Sequence, residues 1–279
     1  MVIRVLLQKT VAGLRAGGIE NAVAEAHWIL RSVLGLTPME LVLRGSEPAD
    51  VPSIERIQEI VKKRLAHAPL QYLLGTQEFM SLEFIVTPDV LIPRADTETL
   101  VEHVLENWMN QGFTALDIGT GSGCIALSLA HYNQRAYVRG VDVSARALAV
   151  ARRNAEKLML ADRTVFEQRD ILRETIFGQY DVIVSNPPYI ETDVIPTLEP
   201  DVCRHEPRLA LDGGADGLDF YRRIIQIAPE RLHPAGMLAF EVGNTQADQV
   251  AELMERGFAA IQIVKDLCGV PRVVSGVKK

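Results

Sequence analysis

Hydrophobic residues recur at helical spacing through residues 1–73. Two apolar stripes carry this pattern, and they consist of Ala22, Ala26, Ile29, Leu30 and Val33, and of Ile54, Ile57, Ile60, Val61 and Leu65. Between the stripes, Thr37-Pro38-Met39-Glu40 predicts a helix start, because it joins a hydroxyl cap, a proline at the first helical position and a glutamate three residues after the cap. The pattern predicts a small N-terminal helical bundle.

The tryptophans and the charged residues of the predicted helices are expected in different environments. Trp28, and Trp108 further along the chain, lie within helical patterns and are expected in the core. The charges from Glu20 to Glu25, and the charges of Lys62, Lys63 and Arg64, are expected on solvated helix faces.

An extended pattern replaces the helical one between Gly75 and Pro93. Its apolar positions, bounded by prolines, are Phe79, Leu82, Phe84, Val86 and Leu91. Such a run predicts a β-hairpin, which would form a linker over residues 74–93.

Strand and helix patterns alternate over residues 94–279, after a first helix near Thr97–Trp108. The expected strands are Ala115–Ile118, Val138–Val143, Thr164–Gln168, Asp181–Ser185 and Met237–Val242, and the expected helices between them include Ala145–Leu158 and Leu218–Leu232. This alternation predicts an α/β fold with a doubly wound, mostly parallel sheet of seven strands. The last two strands, Ile261–Val264 and Arg272–Gly276, are too close for a helical crossover and should be antiparallel.

The composition is that of an ordinary globular protein. Hydrophobic residues make up 48% and charged residues 23% of the chain, and no apolar run approaches the ~18 residues of a membrane span. The net charge of -7 weighs against a duplex-binding protein, which normally carries a basic face. A protein or small-molecule substrate is therefore favoured, with no direct nucleic-acid binding and no membrane.

Targeting and metal signals are missing from the sequence. The N-terminal stretch carries Arg4 and Lys9 and has no small-residue cleavage site. The three cysteines lie far apart, as free thiols do in a reducing cytosol, and the six histidines include no H-x-x-x-H pair. We expect a cytoplasmic protein without a metal site.

A glycine-rich loop follows the first strand of the predicted sheet. In Leu116-Asp117-Ile118-Gly119-Thr120-Gly121-Ser122-Gly123, an apolar strand runs into three alternate glycines and then into a helix. Ligands of doubly wound sheets bind at the carboxyl ends of the strands, and glycine allows a ligand to approach the backbone closely. The loop is therefore a candidate cofactor site; the alternative is a tight strand-to-helix turn that binds nothing.

Acidic residues end the next two strands. Asp142 lies nineteen residues past the last loop glycine and can accept both ribose hydroxyls of an adenosine. Asp170 can accept from the adenine amino group, and Ile171 can cover the ring. The alternatives are an N-cap at Asp142, a role that Ser144 could fill as well, and a plain loop carboxylate at Asp170.

The spacing of the glycines distinguishes between adenosine cofactors. The dinucleotide fingerprint places a glycine where this chain has Cys124, and here the glycines fall as G-x-G-x-G. A pyrophosphate also binds near a helix N-terminus, and the loop has no Lys or Arg to support it. S-adenosylmethionine has no phosphate and fits better.

A second motif, Asn186-Pro187-Pro188-Tyr189, follows an apolar strand on the same side of the sheet. The prolines stiffen the backbone and leave the Asn186 side chain and the Pro187 carbonyl as fixed acceptors. An amide or exocyclic amine nitrogen is a poor nucleophile because its lone pair is delocalised. Two acceptors that hold its hydrogens can turn the lone pair towards a sulfonium methyl and stabilise the developing charge. Tyr189 offers a flat face for stacking, and the alternative is a rigid turn without chemistry.

With these motifs the whole chain resembles the peptide chain release factor glutamine methyltransferases. The resemblance is carried by Gly75-Thr76-Gln77-Glu78-Phe79, Leu91-Ile92-Pro93-Arg94-Ala95-Asp96-Thr97-Glu98, residues 117–123, Ser185-Asn186-Pro187-Pro188-Tyr189, His205-Glu206-Pro207-Arg208-Leu209-Ala210-Leu211 and Gly269-Val270-Pro271-Arg272-Val273-Val274. Nucleic-acid amine methyltransferases share the Asn-Pro-Pro-Tyr motif, whereas residues 75–79 and 205–211 are more specific. Ala95 departs from the family, which usually has a second proline there, and removes no functional group.

The resemblance implies a class I, Rossmann-like methyltransferase domain over residues 94–279 and methyl transfer to the glutamine of a Gly-Gly-Gln motif. It implies cofactor contacts at Gly119, Thr120, Gly121, Ser122, Gly123, Asp142, Ile171 and Asn186, with Asp170 added from the strand pattern, and glutamine contacts at Asn186, Pro187, Pro188 and Tyr189. Because every one of these motifs follows Gly75, residues 1–73 are expected to recognise the release factor.

Three other functions are possible on the residues alone. A DNA or RNA amine methyltransferase would use the same Asn-Pro-Pro-Tyr chemistry, but it predicts a basic recognition domain. A non-catalytic adenosine-binding protein leaves that motif without a purpose. A nicotinamide dehydrogenase is disfavoured by Cys124 and by the absence of an evident acid–base group near the loop.

Overall fold

The computed structural model describes residues 1–279. The chain divides into two compact units, of which the first comprises Met1–Gly75 with Pro200–His205 and the second Thr76–Glu199 with Glu206–Lys279. The first unit ends close to residue 73, where the sequence pattern predicts the end of the helical bundle. The return of Pro200–His205 to this unit has no counterpart in the sequence prediction. No helix combines the length and the apolar character that a membrane span needs.

The first unit is a helical bundle. Its helices are α1 (Ile3–Ala16), α2 (Ala22–Leu34), α3 (Pro38–Leu43), α4 (Val51–Leu65) and α5 (Leu70–Leu74). The predicted start of α3 is confirmed, because the Thr37 hydroxyl accepts from the Glu40 backbone N–H at 3.2 Å while the Glu40 carboxylate accepts from the Thr37 N–H at 2.8 Å. The core of the unit is formed by the predicted apolar stripes, with Ile29, Leu30 and Ile57 fully buried.

Two expectations for side chains of this unit are wrong. Trp28 is 47% exposed and does not belong to the core. Arg64 and Glu25 do not lie on solvated faces, since their side chains are only 13% and 11% exposed. Arg64 donates through Nε to Glu25 at 2.9 Å and through Nη1 to Asp201 at 2.7 Å. Because Asp201 lies 137 residues away along the chain, the pattern of α4 alone could not reveal this cluster.

The second unit begins with a hairpin, in which β1 (Thr76–Phe79) pairs antiparallel with β2 (Leu82–Ile85). Phe79 and Phe84 are buried in the core of this unit, so the hairpin is built into it. Trp108 is partly buried against the same core and lies 5.6 Å from Phe113 between ring centroids, as the helical pattern predicts.

The remaining elements alternate as predicted. They are α6 (Glu98–Asn107), β3 (Thr114–Ile118), α7 (Cys124–Tyr132), β4 (Tyr137–Asp142), α8 (Ala145–Lys157), β5 (Thr164–Gln168), β6 (Tyr180–Ser185), α9 (Pro200–His205, within the first unit), α10 (Asp219–Arg231), β7 (Leu232–Glu241), α11 (Ala247–Met254), β8 (Phe258–Lys265) and β9 (Pro271–Lys278). Three differences from the sequence prediction stand out. Strand β7 begins at Leu232 rather than Met237, and neither α9 nor α11 was predicted.

One seven-stranded sheet organises the second unit, in the order β5-β4-β3-β6-β7-β9-β8. The first five strands are parallel, while β9 is antiparallel to both β7 and β8, which confirms the fold class and the antiparallel end. An apolar core covers each face of the sheet. Alternate residues of β6 pack into these two cores, with Val182 and Val184 on one face and Ile183 on the other. The strand order reverses between β3 and β6, and such a switch point opens a crevice at the carboxyl ends of the strands.

Candidate active site

A cavity of about 330 Å³ lies at the carboxyl ends of β3, β4, β5 and β6. Its volume falls in the range of small-molecule sites. The predicted site residues that line it are Gly119, Gly121, Asp142, Asp170, Ile171, Asn186, Pro187 and Pro188. The structure therefore brings the glycine loop, the two strand-end acids and most of the Asn-Pro-Pro-Tyr motif to one site.

Four predicted residues do not line this cavity. The side chains of Thr120 and Ser122 are buried, and Gly123 (φ 81°) packs so closely against the core that a Cβ there would lie 3.1 Å from Leu127. These three residues pack on the core side of the loop and do not face the cavity. Tyr189 does not line the cavity and packs, partly buried, against the core on the Ile183 face of the sheet. Burial raises the pKa of its hydroxyl to about 12.

Asp117, at the end of β3, organises the glycine loop. It is fully buried, and its Oδ2 accepts from the Thr120 hydroxyl at 2.6 Å and from the Ala126 N–H at 3.2 Å. Its Oδ1 has no partner, and burial raises the pKa of the carboxyl to about 7. The strand pattern did not single out Asp117, although an acid two residues before the first loop glycine is a usable signal.

Asp142 is oriented by two backbone donors. Its Oδ2 accepts from the Gly121 N–H at 2.9 Å and its Oδ1 from the Ser144 N–H at 2.8 Å. Each oxygen keeps a further lone pair, so the carboxylate can still accept from two ligand hydroxyls. Burial raises the pKa of Asp142, and these backbone hydrogen bonds oppose the rise. The helix cap is supplied by Ser144, whose hydroxyl accepts from the Ala147 N–H at 3.2 Å, so Asp142 is not needed for that role.

Replacing Asp142 with alanine should weaken cofactor binding roughly tenfold or more, since each lost charge-assisted hydrogen bond is worth about 1.5–3 kcal/mol. Isothermal titration calorimetry with S-adenosylmethionine measures the change. Asp162→Ala is a matched control, because Asp162 is an exposed carboxylate outside the cavity. An unchanged dissociation constant for Asp142→Ala would show that Asp142 does not hold the ribose.

The far side of the cavity carries Asp170 and Ile171. The Asp170 side chain accepts from the Leu172 N–H at 3.0 Å, and Ile171 is 6% exposed. Two arginines also line the cavity, and each faces a carboxylate. Arg169 lies 3.1 Å from Glu174 and Arg173 lies 3.5 Å from Asp170. The cavity thus contains no unpaired cation for a phosphate.

Strand β6 places the Asn-Pro-Pro-Tyr motif beside the loop. The Ser185 hydroxyl donates to the Ile118 carbonyl at 2.6 Å, which ties the ends of β6 and β3 together. The Asn186 side-chain nitrogen donates to the Thr97 hydroxyl at 3.2 Å. Because the nitrogen is engaged there, the side-chain oxygen of Asn186 remains available as an acceptor.

The backbone of the Asn-Pro-Pro-Tyr motif contacts the segment Leu211–Gly213 and Gln246, which precedes α11. A Cβ at Gly213 would lie 2.7 Å from the Pro188 carbonyl oxygen, so only glycine allows this approach. The Gln246 side chain donates to the Tyr189 carbonyl at 3.0 Å, and the Ile190 N–H donates to the Leu211 carbonyl at 3.0 Å. These contacts hold the backbone at Pro188, Tyr189 and Ile190, and they place the segment ending at Leu211 beside the site.

Comparisons with known proteins agree with this geometry. Residues 94–198 match the methyltransferase small domain and residues 6–75 match the PrmC N-terminal domain. The chain is 44% identical over 279 residues to a release factor glutamine methyltransferase of Geobacter sulfurreducens, covering 98% of this chain and 96% of that one. It is 46% identical over 272 residues to the protein of the same name from Moorella thermoacetica, covering 96% of each chain.

A solved structure with the same fold is a methyltransferase from Pyrococcus furiosus, with a TM-score of 0.54 and 21% identity over 80% of this chain and 96% of that one. At that identity the likeness concerns the fold alone, and it agrees with a class I methyltransferase sheet. The full-length relatives do not favour the nucleic-acid methyltransferase alternative. With an α/β methyltransferase unit, an N-terminal helical unit and relatives of this identity along its whole length, the chain belongs to the release factor glutamine methyltransferase family.

Proposed function

We propose that this enzyme transfers the methyl group of S-adenosylmethionine to the side-chain amide nitrogen of the glutamine in the Gly-Gly-Gln motif of peptide chain release factors. The observation that carries the proposal is one shared cavity. The acceptors of Asn186 and Pro187 line the same space as Gly121 and Asp142. Two relatives above 40% identity bear the name of this activity.

The residues present fit S-adenosylmethionine. Asp142 has an acceptor free on each oxygen for the two ribose hydroxyls. Gly119 and Gly121 line the cavity with bare backbone, which permits close approach. Asp170 can accept from the adenine amino group, while Ile171 covers the ring. The pairing of both cavity arginines argues against a phosphate-bearing dinucleotide.

The mechanism follows from the acceptors. S-adenosylmethionine supplies a methyl group bound to a sulfonium, which is an electrophile. The Asn186 side-chain oxygen and the Pro187 carbonyl accept the two hydrogens of the glutamine amide and so orient its nitrogen. They also stabilise the positive charge that develops on that nitrogen, because they are fixed before the reaction. No strong base is required, since an N-methylated amide cation loses its proton readily.

The first unit is the proposed contact for the release factor. None of the residues that line the cavity comes from residues 1–75. A glutamine in a flexible loop presents little surface, so affinity must come from contacts elsewhere on a large partner. Helix α3 offers an apolar surface for this purpose, where Met39, Val42 and Leu43 are 68%, 72% and 71% exposed.

Transfer of a labelled methyl group tests the substrate class. Purified enzyme is incubated with labelled S-adenosylmethionine and, in parallel, with release factor, tRNA or duplex DNA. Label should appear in the release factor alone. Label in tRNA or DNA, with none in the release factor, would support the nucleic-acid methyltransferase alternative instead.

A further inference from the structure

A buried polar chain lies behind Asn186. The Asn186 nitrogen donates to the Thr97 hydroxyl at 3.2 Å, and the side chains of Thr97 and Asn186 both hydrogen-bond with the Glu241 carboxylate at the end of β7. Thr97 and Glu241 are each only 2% exposed. The Glu241 Oε2 atom is buried with no partner. A buried carboxylate that is only partly satisfied is costly, and such groups cluster at functional sites.

The chemistry of these three groups determines which way the Asn186 amide faces. A hydroxyl has one hydrogen to donate, and an ionised carboxylate can only accept. When Thr97 donates its hydrogen to Glu241, its oxygen can only accept, so Asn186 must turn its NH₂ group inwards. The amide oxygen then faces away from Thr97, which is the orientation that an acceptor for a substrate amide needs.

On the basis of the proposed function, we propose that Glu241 and Thr97 are positioning residues that hold the Asn186 amide with its nitrogen inwards and its oxygen free for the substrate. Neither residue touches the reacting atoms. Without the carboxylate, the Thr97 hydrogen can donate to the Asn186 oxygen instead, and the amide can turn over. The acceptor for the glutamine is then replaced by a donor.

Ionisation of Glu241 provides a pH signature. Burial, with a smaller contribution from nearby Asp96, raises the pKa of Glu241 to about 7, although hydrogen bonds from Thr97 and Asn186 and the charge of Arg272 oppose the rise. Tyr189, Tyr221 and Cys124 also interact electrostatically with Glu241. All three have raised pKa values and stay neutral near pH 7. Protonated Glu241 can donate to Thr97, so kcat should fall as the pH drops through about 7.

The kinetic test uses the full-length enzyme with release factor and S-adenosylmethionine. Thr97→Val and Glu241→Gln should lower kcat roughly tenfold or more, with a cofactor dissociation constant close to that of the wild type. Thr97→Ser keeps the hydroxyl and should have a kcat close to that of the wild type. Ser275→Ala is the matched control, since it removes the partner of His103 (2.8 Å) from another buried polar pair of the same unit. Normal kcat in Thr97→Val would overturn the positioning role.

A double variant separates positioning from a direct effect on the reacting groups. In an Asn186→Ala background, Glu241→Gln should cause no further loss of kcat, because its effect passes through Asn186. Independent, multiplicative losses would contradict the proposal. The acid limb of the pH profile should also be missing in Glu241→Gln. Burial also raises the pKa of Asp117 to about 7, and because Asp117 is present in both proteins, the difference between their pH profiles reports on Glu241.

A measurement without turnover distinguishes failure of this inference from failure of the proposed function. In isotope-labelled enzyme, the side-chain NH₂ signals of Asn186 should exchange slowly with solvent, and faster in Thr97→Val and Glu241→Gln. Equal exchange in all three proteins would reject the inference, whatever the substrate. A wild-type enzyme that leaves release factor unmethylated but shows the expected exchange would reject the proposed function alone.

Discussion

Asn186→Ala is expected to lower kcat on release factor roughly a hundredfold or more, because it removes one of two preorganised acceptors for the amide hydrogens. Cofactor affinity should change far less, since the glycine loop and Asp142 stay in place. Single-turnover kinetics at saturating cofactor, with calorimetry for the cofactor dissociation constant, separate the two effects. Circular dichroism establishes that the variant is folded.

Asn186→Asp should be the milder change, because it keeps an acceptor of the same shape. It also places a second carboxylate beside buried Glu241. Two neighbouring carboxylates repel each other, which raises the pKa of one of them, so that the two groups share a proton. The protonated pair resembles the wild-type arrangement, so the activity of this variant should fall as the pH rises. Equal losses for the alanine and aspartate variants would argue against an acceptor role for Asn186.

Deleting residues 1–68, so that the chain begins at Pro69, should remove most of kcat/KM on intact release factor, on the order of a hundredfold. Loss of the second contact lowers the effective concentration of the glutamine loop at the active site. Weak activity on a short Gly-Gly-Gln peptide and the cofactor affinity should be nearly unchanged. A loss of the same factor on peptide and whole protein would mean that the helices support the catalytic fold instead.

Point variants provide a control for this deletion, because the deletion also removes Arg64, the partner of Asp201. Leu43→Glu should lower kcat/KM on release factor and leave peptide activity intact. Met109→Glu is the matched control, since Met109 belongs to the second unit and is 71% exposed, as Leu43 is. Equal effects of the two variants on release factor would contradict recognition through α3.

Periodicity predicted the elements that bury a continuous apolar surface. Strand β5 was predicted with its observed bounds, Thr164–Gln168, because β-branched and aromatic residues (Thr164, Val165 and Phe166) favour a strand, although this edge strand buries only Thr164 and Phe166. Helix α11 (Ala247–Met254) is short and was missed. Trp28 was placed in the core because its helix is amphipathic, although an aromatic residue at the edge of such a stripe can remain exposed.

The site was predictable where its residues lie within one motif and hidden where they do not. The loop from Gly119 to Gly123 and the turn at Asn186 each follow a strand, and the parallel sheet brings such strand ends together. Glu241 ends a strand as well, but nothing along the chain relates it to Thr97 or Asn186. The fold brings these three residues into one hydrogen-bonded network, and only the three-dimensional structure can reveal contacts between residues so far apart in sequence.

The site of methylation tests the central claim most directly. Release factor incubated with the enzyme and S-adenosylmethionine is digested, and tandem mass spectrometry locates the added methyl group. The fragments should place one methyl on the side chain of the Gly-Gly-Gln glutamine, and a factor carrying alanine in place of that glutamine should remain unmodified. A methyl group on any other residue, or continued methylation of the alanine-bearing factor, would contradict amide methylation at this site.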